Sequence, residues 1–522
     1  MKNALYFFSF LGAFFIFING SAQTPAWQWV VNSPDSFHQS RCLTTDAAGN
    51  IYVAGTALTK RSPAGMLLWS KPLQTSAFTA TVHGLVSDSA GNIYIAGTFS
   101  GALNFDTITL NYFGHSDIFI AKFNTNGQVI WASKAGTPGP PSSPQPPAVT
   151  DIASGIAIDA AGNCYITGQC YAYNQNPVFD HITIPGNNTG DYFFFAAKYN
   201  ATGQVLWVRS VTMGEPLSIG CGPKGSYYIT GGNYPNGIFT EKYHASGARA
   251  WFRNTSGIIQ DFSTSISVNK TGDCYITGAI TGNTTFSGAT LQKTGSSNMF
   301  LAKYSNAGVL EWALQNQNLA AGSCFGEQVV ADETGRVFVT GAFSSYAAFG
   351  SLPTLTATGN DPDIFVAEFS ELGQPEWAVQ AGGTGSDYGK GIAPLANGEC
   401  YISGRFDPVV GASFGSINFP PSPGNNNTFF LAKLSAGTLG VPEAGTKTHF
   451  QLYPNAATSG VTITGHLKPG TLEIVSLTGQ KVYEAKLIAG TKLNVEDWPA
   501  GMYLVKITSE GNTRVEKLLV TH

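Results

Sequence analysis

Three aspartates, Asp151, Asp261 and Asp387, hold the same place in a pattern that recurs along this chain, eight residues ahead of a turn. Other copies put His38, Ala80, Gly214 and Cys324 there. Carboxylates gathered at one mouth of a ring could coordinate a cation or hold a sugar hydroxyl. The same residue type also caps turns by accepting backbone N–H bonds. Ala80 and Gly214 offer no polar side chain, so any such ring is partial. Glycoside hydrolysis needs two carboxyls at a set separation, which a sequence does not give. Asp151, Asp261, Asp387 and His38 therefore stand as candidate ligand contacts. No catalytic residue is assigned, no cofactor is expected, and the question of a metal stays open.

Two further patterns invite chemistry. Gly411-Ala412-Ser413-Phe414-Gly415 fits the G-x-S-x-G arrangement of a serine nucleophile. That chemistry needs a strand–turn–helix setting that exposes the serine. Here the segment aligns with loops of other copies that carry a recurrent Phe (Phe105, Phe286, Phe349), and Pro420-Pro421 follows. Ser413 is accordingly read as a repeat residue. A lysine recurs at Lys60, Lys122, Lys198, Lys242, Lys303 and Lys433, with Glu368 in the remaining copy. A residue repeated this way serves the repeat. Its expected partner is the polar residue five positions earlier, such as Asp117 for Lys122.

The elements that must position these groups come from one repeated phrase. Gly49-Asn50-Ile51-Tyr52-Val53-Ala54-Gly55 has variants closing at Gly97, Gly168, Gly231, Gly278, Gly341 and Gly404. A fixed unit with variable insertions marks a repeat fold. Each copy has a short apolar stretch, a turn such as Asp159–Asn163, and an alternating strand such as Ile93–Gly97. Period-2 alternation with β-branched and aromatic residues argues strand. A third strand carries the lysine, and a fourth carries a tryptophan. Four antiparallel strands per unit, repeated, make a β-propeller.

The tryptophans set the count. Trp69, Trp131, Trp207, Trp251, Trp312 and Trp377 end six units, and the seventh lacks one. The missing strand is expected in Trp27–Val31, with Trp29 in the repeat position. It would close the ring and remove an open sheet edge. The units resemble the seven-bladed propeller repeats (SBBP-type) of bacterial secreted proteins, with a likeness to NHL repeats in the Asp-x-x-Gly-Asn-x-Tyr-Val phrase, over roughly residues 27–437. That resemblance implies a fold and leaves activity open.

The two ends read differently. Lys2, the apolar run Phe7–Ile18 and Gly20-Ser21-Ala22 form a secretory signal, which puts the mature start at Gln23. No later segment is long and apolar enough to span a bilayer. After a linker come Phe450–Asn455, Leu477-Thr478-Gly479-Gln480 and Pro499–Ile507 in order. These resemble the type A C-terminal sorting domain of the type IX (Por) secretion system of Bacteroidota, although Ala456 replaces a proline usual in its first motif. The resemblance implies a small β-sandwich recognised by the secretion machinery at the outer membrane.

Composition excludes some partners. The net charge is −4 and charged residues are 11%, without the dense basic face that nucleic acid requires. The cysteine count is seven, which cannot pair internally in full. Cys164, Cys274 and Cys400 share one repeat position and are read as small core residues; no pair has zinc-ligand spacing. Inserts at 101–115, 179–190, 284–296, 347–360 and 411–427, bearing Tyr112, Phe113, Asn187, Asn188, Asn425 and Asn426, either project as a recognition surface or extend the outer strands.

The expected chain is all-β. It has a signal peptide at 1–22, a seven-bladed β-propeller at 23–437 closed by its N-terminal strand, a linker at 438–448 and a sorting domain at 449–522. The leading functional expectation is an exported module, on the cell surface or in the medium, that binds an extracellular glycan or protein. The alternatives are a secreted polysaccharide hydrolase or lyase with its site at the channel mouth, and a structural surface-layer component.

Overall fold

A computed structural model describes residues 24–33, 42–73, 80–113, 116–139, 151–172, 175–185, 191–212, 214–233, 237–257, 261–318, 322–422, 428–436, 450–453, 457–465, 470–476, 480–487, 491–509 and 512–521. The expected signal segment, the linker and His38 lie outside these. The chain forms two compact units, one of them spanning Thr24–Thr438.

That unit is a ring of seven antiparallel blades. The first is Leu43–Thr45, Ile51–Ala54, Ala57–Arg61 and Leu67–Pro72, paired in that order. The next five repeat this plan. The last blade pairs Tyr388–Pro394, Cys400–Phe406, Thr428–Leu434 and then Trp27–Ser33. The N-terminal strand therefore completes the seventh blade, with Trp29 opposite Lys433. Successive innermost strands pack side by side, and that of the seventh blade meets that of the first.

The recurring phrase explains itself in three dimensions. Asp46 accepts bonds from the Ala48 and Asn50 N–H groups, the Asn50 amide and the Tyr52 hydroxyl. Asp88 and Asp159 do the same for their blades. Burial alone would raise their carboxyls. The bonds from asparagine, tyrosine and backbone, with a nearby lysine, hold all three below the ordinary carboxylate range instead.

The closing glycines are needed for space. A Cβ on Gly97, Gly168, Gly231, Gly278, Gly341 or Gly404 would lie 1.9–2.1 Å from a carbonyl oxygen of the innermost strand. Beside each, that strand bulges, as between Val82 and Gly84, which brings the two backbones together.

Blades are stapled by aromatic residues. The Trp131 indole N–H donates to Ala201 O at 3.0 Å, and its ring lies over Gly203 in the next blade. Trp69 and Trp251 dock likewise on Gly127 and Gly308, and Trp29 docks on Gly65. The last contact crosses the closure point. Two blades depart from the pattern: Arg209 takes the place over Gly247, and Trp377 donates to Glu368 of its own blade.

The five inserts are short hairpins between second and third strands. They resolve toward the second expectation, extension of the blades. Phe105, Phe179, Phe286, Phe349 and Phe414 are buried, each against a Phe of its blade's third strand; the Phe414–Phe430 centroids are 4.8 Å apart. Four hairpins also bond backward onto the preceding blade's outer strand, as at Val178↔Gly136 and Ser413↔Gly382. Asn187, Asn188, Asn425 and Asn426 lie outside the described residues.

The C-terminal unit is built from two small sheets. One pairs Phe450–Tyr453, Gly460–Gly465 and Lys492–Asn494. The other orders Lys481–Leu487, Gly470–Ser476, Gly501–Ser509 and Asn512–Val520. Ile463, Leu472, Ile474, Leu493, Val505 and Leu518 share its core.

Candidate functional site

Asp151, Asp261 and Asp387 stand one residue ahead of the innermost strands of the third, fifth and seventh blades, and all three are buried. Each accepts backbone N–H groups. Asp151 takes those of Thr137 and Tyr171, at 2.5 and 2.8 Å. Asp261 takes that of Thr281 and the hydroxyls of Thr281 and Thr284. Asp387 takes Gly383 and Asp407, at 2.6 and 2.9 Å. The bonds from Tyr171, Thr281 and Asp407 tie the start of each innermost strand to the end of its neighbour in the same blade, and those from Thr137 and Gly383 reach back to the outer strand of the preceding blade. Among the described residues, no three or more His, Cys, Asp or Glu side chains are grouped to hold a metal ion.

Two of these aspartates face a second one. A Cβ on Gly136 would lie 2.6 Å from Asp117 Oδ1 and 2.8 Å from Asp151 Oδ2; on Gly382 it would lie 2.5 Å from Asp363 Oδ1 and 2.8 Å from Asp387 Oδ2. Only glycine leaves room for two carboxyls at these blade junctions. Burial, with some help from Asp117, pushes Asp151 up to about 8 despite its two backbone bonds. Burial, with Asp363 and Asp407 nearby, pushes Asp387 up to about 7, and Asp363 rises to about 6 by burial.

These groups keep protons in the fold at a pH where the unfolded chain, with carboxyls near about 4, has released them. The folded state then binds more protons, so stability falls as pH rises from about 4 through the values above. The turn aspartates Asp46, Asp88 and Asp159 act the other way and lose their contribution only as pH falls below the ordinary carboxylate range. Calorimetric melting should therefore show a Tm several degrees lower at about pH 8.5 than at about pH 5.5, and Asp387→Asn should flatten that slope. A Tm that climbs over this interval would contradict the buried-proton account.

The lysine row serves the fold through a partner other than the one expected. Lys122 reaches Asp88 at 3.6 Å and lies over the Tyr94 ring at 4.7 Å. Lys60 and Lys198 repeat this with Asp46 and Asp159. Asp117 cannot serve, because an odd offset along a strand points to the opposite face. Ser413 lies in an insert strand and its hydroxyl bonds Asn418 at 2.8 Å, with no nucleophile elbow around it.

The innermost strands also carry residues that the repeat does not use. Along the innermost strands half-exposed residues alternate with buried ones. The first outward position holds Thr81, Ile152, Glu215, Phe262, Phe325 and Tyr388 in blades two to seven. Three aromatic residues thus stand on consecutive blades. Phe262 is 38% exposed, and Phe325 and Tyr388 stack across their blade boundary at 6.2 Å. Opposite Tyr388 on the second strand stands Arg405, its guanidinium 4.5 Å from the ring centroid. Lys390 approaches the same ring at 5.3 Å and pairs with Glu327 of the sixth blade. A search for likeness between copies misses these residues. Their signal is difference at a matched position.

Residues 451–521 match the secretion system C-terminal sorting domain family. This segment is a sorting domain of the type IX secretion system. It implies interaction with that machinery and secretion across the outer membrane. No helix among the described residues is long and apolar enough to cross a membrane. An uncharacterized WD repeat-containing protein of Acanthamoeba polyphaga mimivirus is 24% identical over 371 residues. That match covers 55% of this chain and 26% of the viral protein, so the chain spans about a quarter of that relative's length. Among solved structures, the Dos1 propeller matches with a TM-score of 0.40 and 8% identity, covering 79% of this chain and 96% of its own. The Pan2 WD40 domain of Neurospora crassa matches with a TM-score of 0.43 and 7% identity, at the same coverages.

Proposed function

We propose that this exported propeller is a binding module, acting at the cell surface or in the medium on an extracellular glycan or protein, without turnover. One observation supports the reading above others. The recurring groups that could do chemistry are engaged within the fold, whereas the channel-facing residues vary from blade to blade. Asp151, Asp261 and Asp387 in this reading position the first channel-facing residue of their strands and do not touch a ligand. A propeller end presents many side chains around one axis, which suits contact at several points.

The test is to incubate the purified protein with a panel of polysaccharides and to score both retention and product release. Retention without new reducing ends or unsaturated products is the expected result. Product release abolished by Asp151→Asn or Asp387→Asn would replace the binding reading with a hydrolase or lyase.

A further inference from the structure

We propose that the channel mouth between the fifth and seventh blades binds a carboxylate-bearing sugar unit of an extracellular polysaccharide, with Arg405 holding the carboxylate and Phe262 and Phe325 stacking on the ring. This rests on the binding reading above and adds to it a place and a ligand class.

The repeats supply an internal control. The position of Arg405 in the other described blades holds Thr98, Gln169, Gly232, Ala279 and Ala342, each paired with the first channel-facing residue of its own blade. The fold is thus built five times without a charge there. The arginine of the seventh blade answers to something other than blade geometry.

Its surroundings are unbalanced. Lys390 has Glu327, but Arg405 has no ion-pair partner among the described residues. Its Nε is buried without a hydrogen-bond acceptor. With its Nε enclosed, the guanidinium would meet a ligand through its terminal amino groups, and a carboxylate is the anion that suits that planar fork. The Tyr388 ring beneath fixes its direction by a cation–π contact. A neutral sugar would leave that charge unmet.

The aromatic residues narrow the class further. Phe262, Phe325 and Tyr388 form an arc on three successive blades, and Phe262 exposes 38% of its surface. Such faces pack on the C–H face of a pyranose ring. A sugar acid combines that face and a carboxylate in one monomer. An acidic peptide would meet Arg405 but would leave the arc without a flat partner.

The experiment uses the full chain and three probes: polygalacturonate, alginate and methyl-esterified polygalacturonate, with polyglutamate alongside, measured by calorimetry at low and high salt. The wild type should bind at least one of the acidic polysaccharides, and esterification or Arg405→Ala should weaken that binding by about tenfold or more. Arg405→Lys should retain part of the affinity, because a point charge remains. Phe262→Ala, at an exposed position, should weaken acid and ester alike and so separate stacking from charge. Equal binding of acid and ester, or discrimination that survives Arg405→Ala, would overturn the ligand class while leaving the binding reading intact. Binding of polyglutamate or a neutral glycan alone would do the same. Failure of all four probes to bind would overturn the sugar-acid assignment, and the binding reading would then be decided by the wider polysaccharide panel above.

Discussion

Deleting residues 24–33 should lower the melting temperature by about 10 °C or more and make unfolding less cooperative. The strand pairs along Phe429–Leu434, buries Trp27 against Phe414 at 5.2 Å, and lays Trp29 on Gly65 of the first blade. Losing it exposes one sheet edge and two indole sites, and truncating even one buried tryptophan typically costs about 3–5 kcal/mol. Differential scanning calorimetry of the shortened protein checks this. A synthetic peptide of residues 24–33 should restore the transition when added back. An unchanged melting temperature would show that the seventh blade stands on three strands.

Gly231→Ala and Gly232→Ala should differ sharply although they are neighbours on one strand. A Cβ at 231 would meet Glu215 O at 1.9 Å and the Phe239 ring at 3.0 Å. Neither backbone nor ring can yield without opening the fourth blade, so a loss of about 3 kcal/mol or more is expected. At 232 the nearest atom would be 3.7 Å away. There alanine is accommodated, and the change should stay within about 1 kcal/mol, with a stabilising direction from reduced freedom in the unfolded chain. Urea titration of both variants measures the contrast. Equal losses would refute the close-approach account of the closing glycines.

The blade plan was legible because each copy repeats its strand alternation, its turn aspartate and its tryptophan. The closure by Trp27–Val31 followed from a missing tryptophan alone. What those residues touch was less legible. Lys122 and Asp117 looked paired by proximity in sequence, yet strand pleating sends them to opposite faces and gives the lysine to Asp88. Asp151 and Asp387 stood out as carboxylates, but a sequence does not show that Gly136 and Gly382 leave space for a second carboxyl beside each. The inserts read equally well as projections or braces. Only the burial of Phe286 and Phe414 against third-strand rings decides for the braces. Arg405 passed unnoticed because it belongs to no pattern.

The aromatic staples have a direction. Trp131 and Trp251 reach forward onto the following blade, and Trp29 does so across the closure. A ring opened at the seventh blade would therefore carry unlike ends: the first blade with its leading strand, the Trp29 indole and the Gly65 socket on one side, and the unpaired Thr428–Leu434 edge on the other. Such ends fit each other, so the segment that seals one molecule can seal its neighbour. Intramolecular closure wins when copies are dilute, and crowding of partly folded chains favours strand-exchanged dimers or longer head-to-tail assemblies.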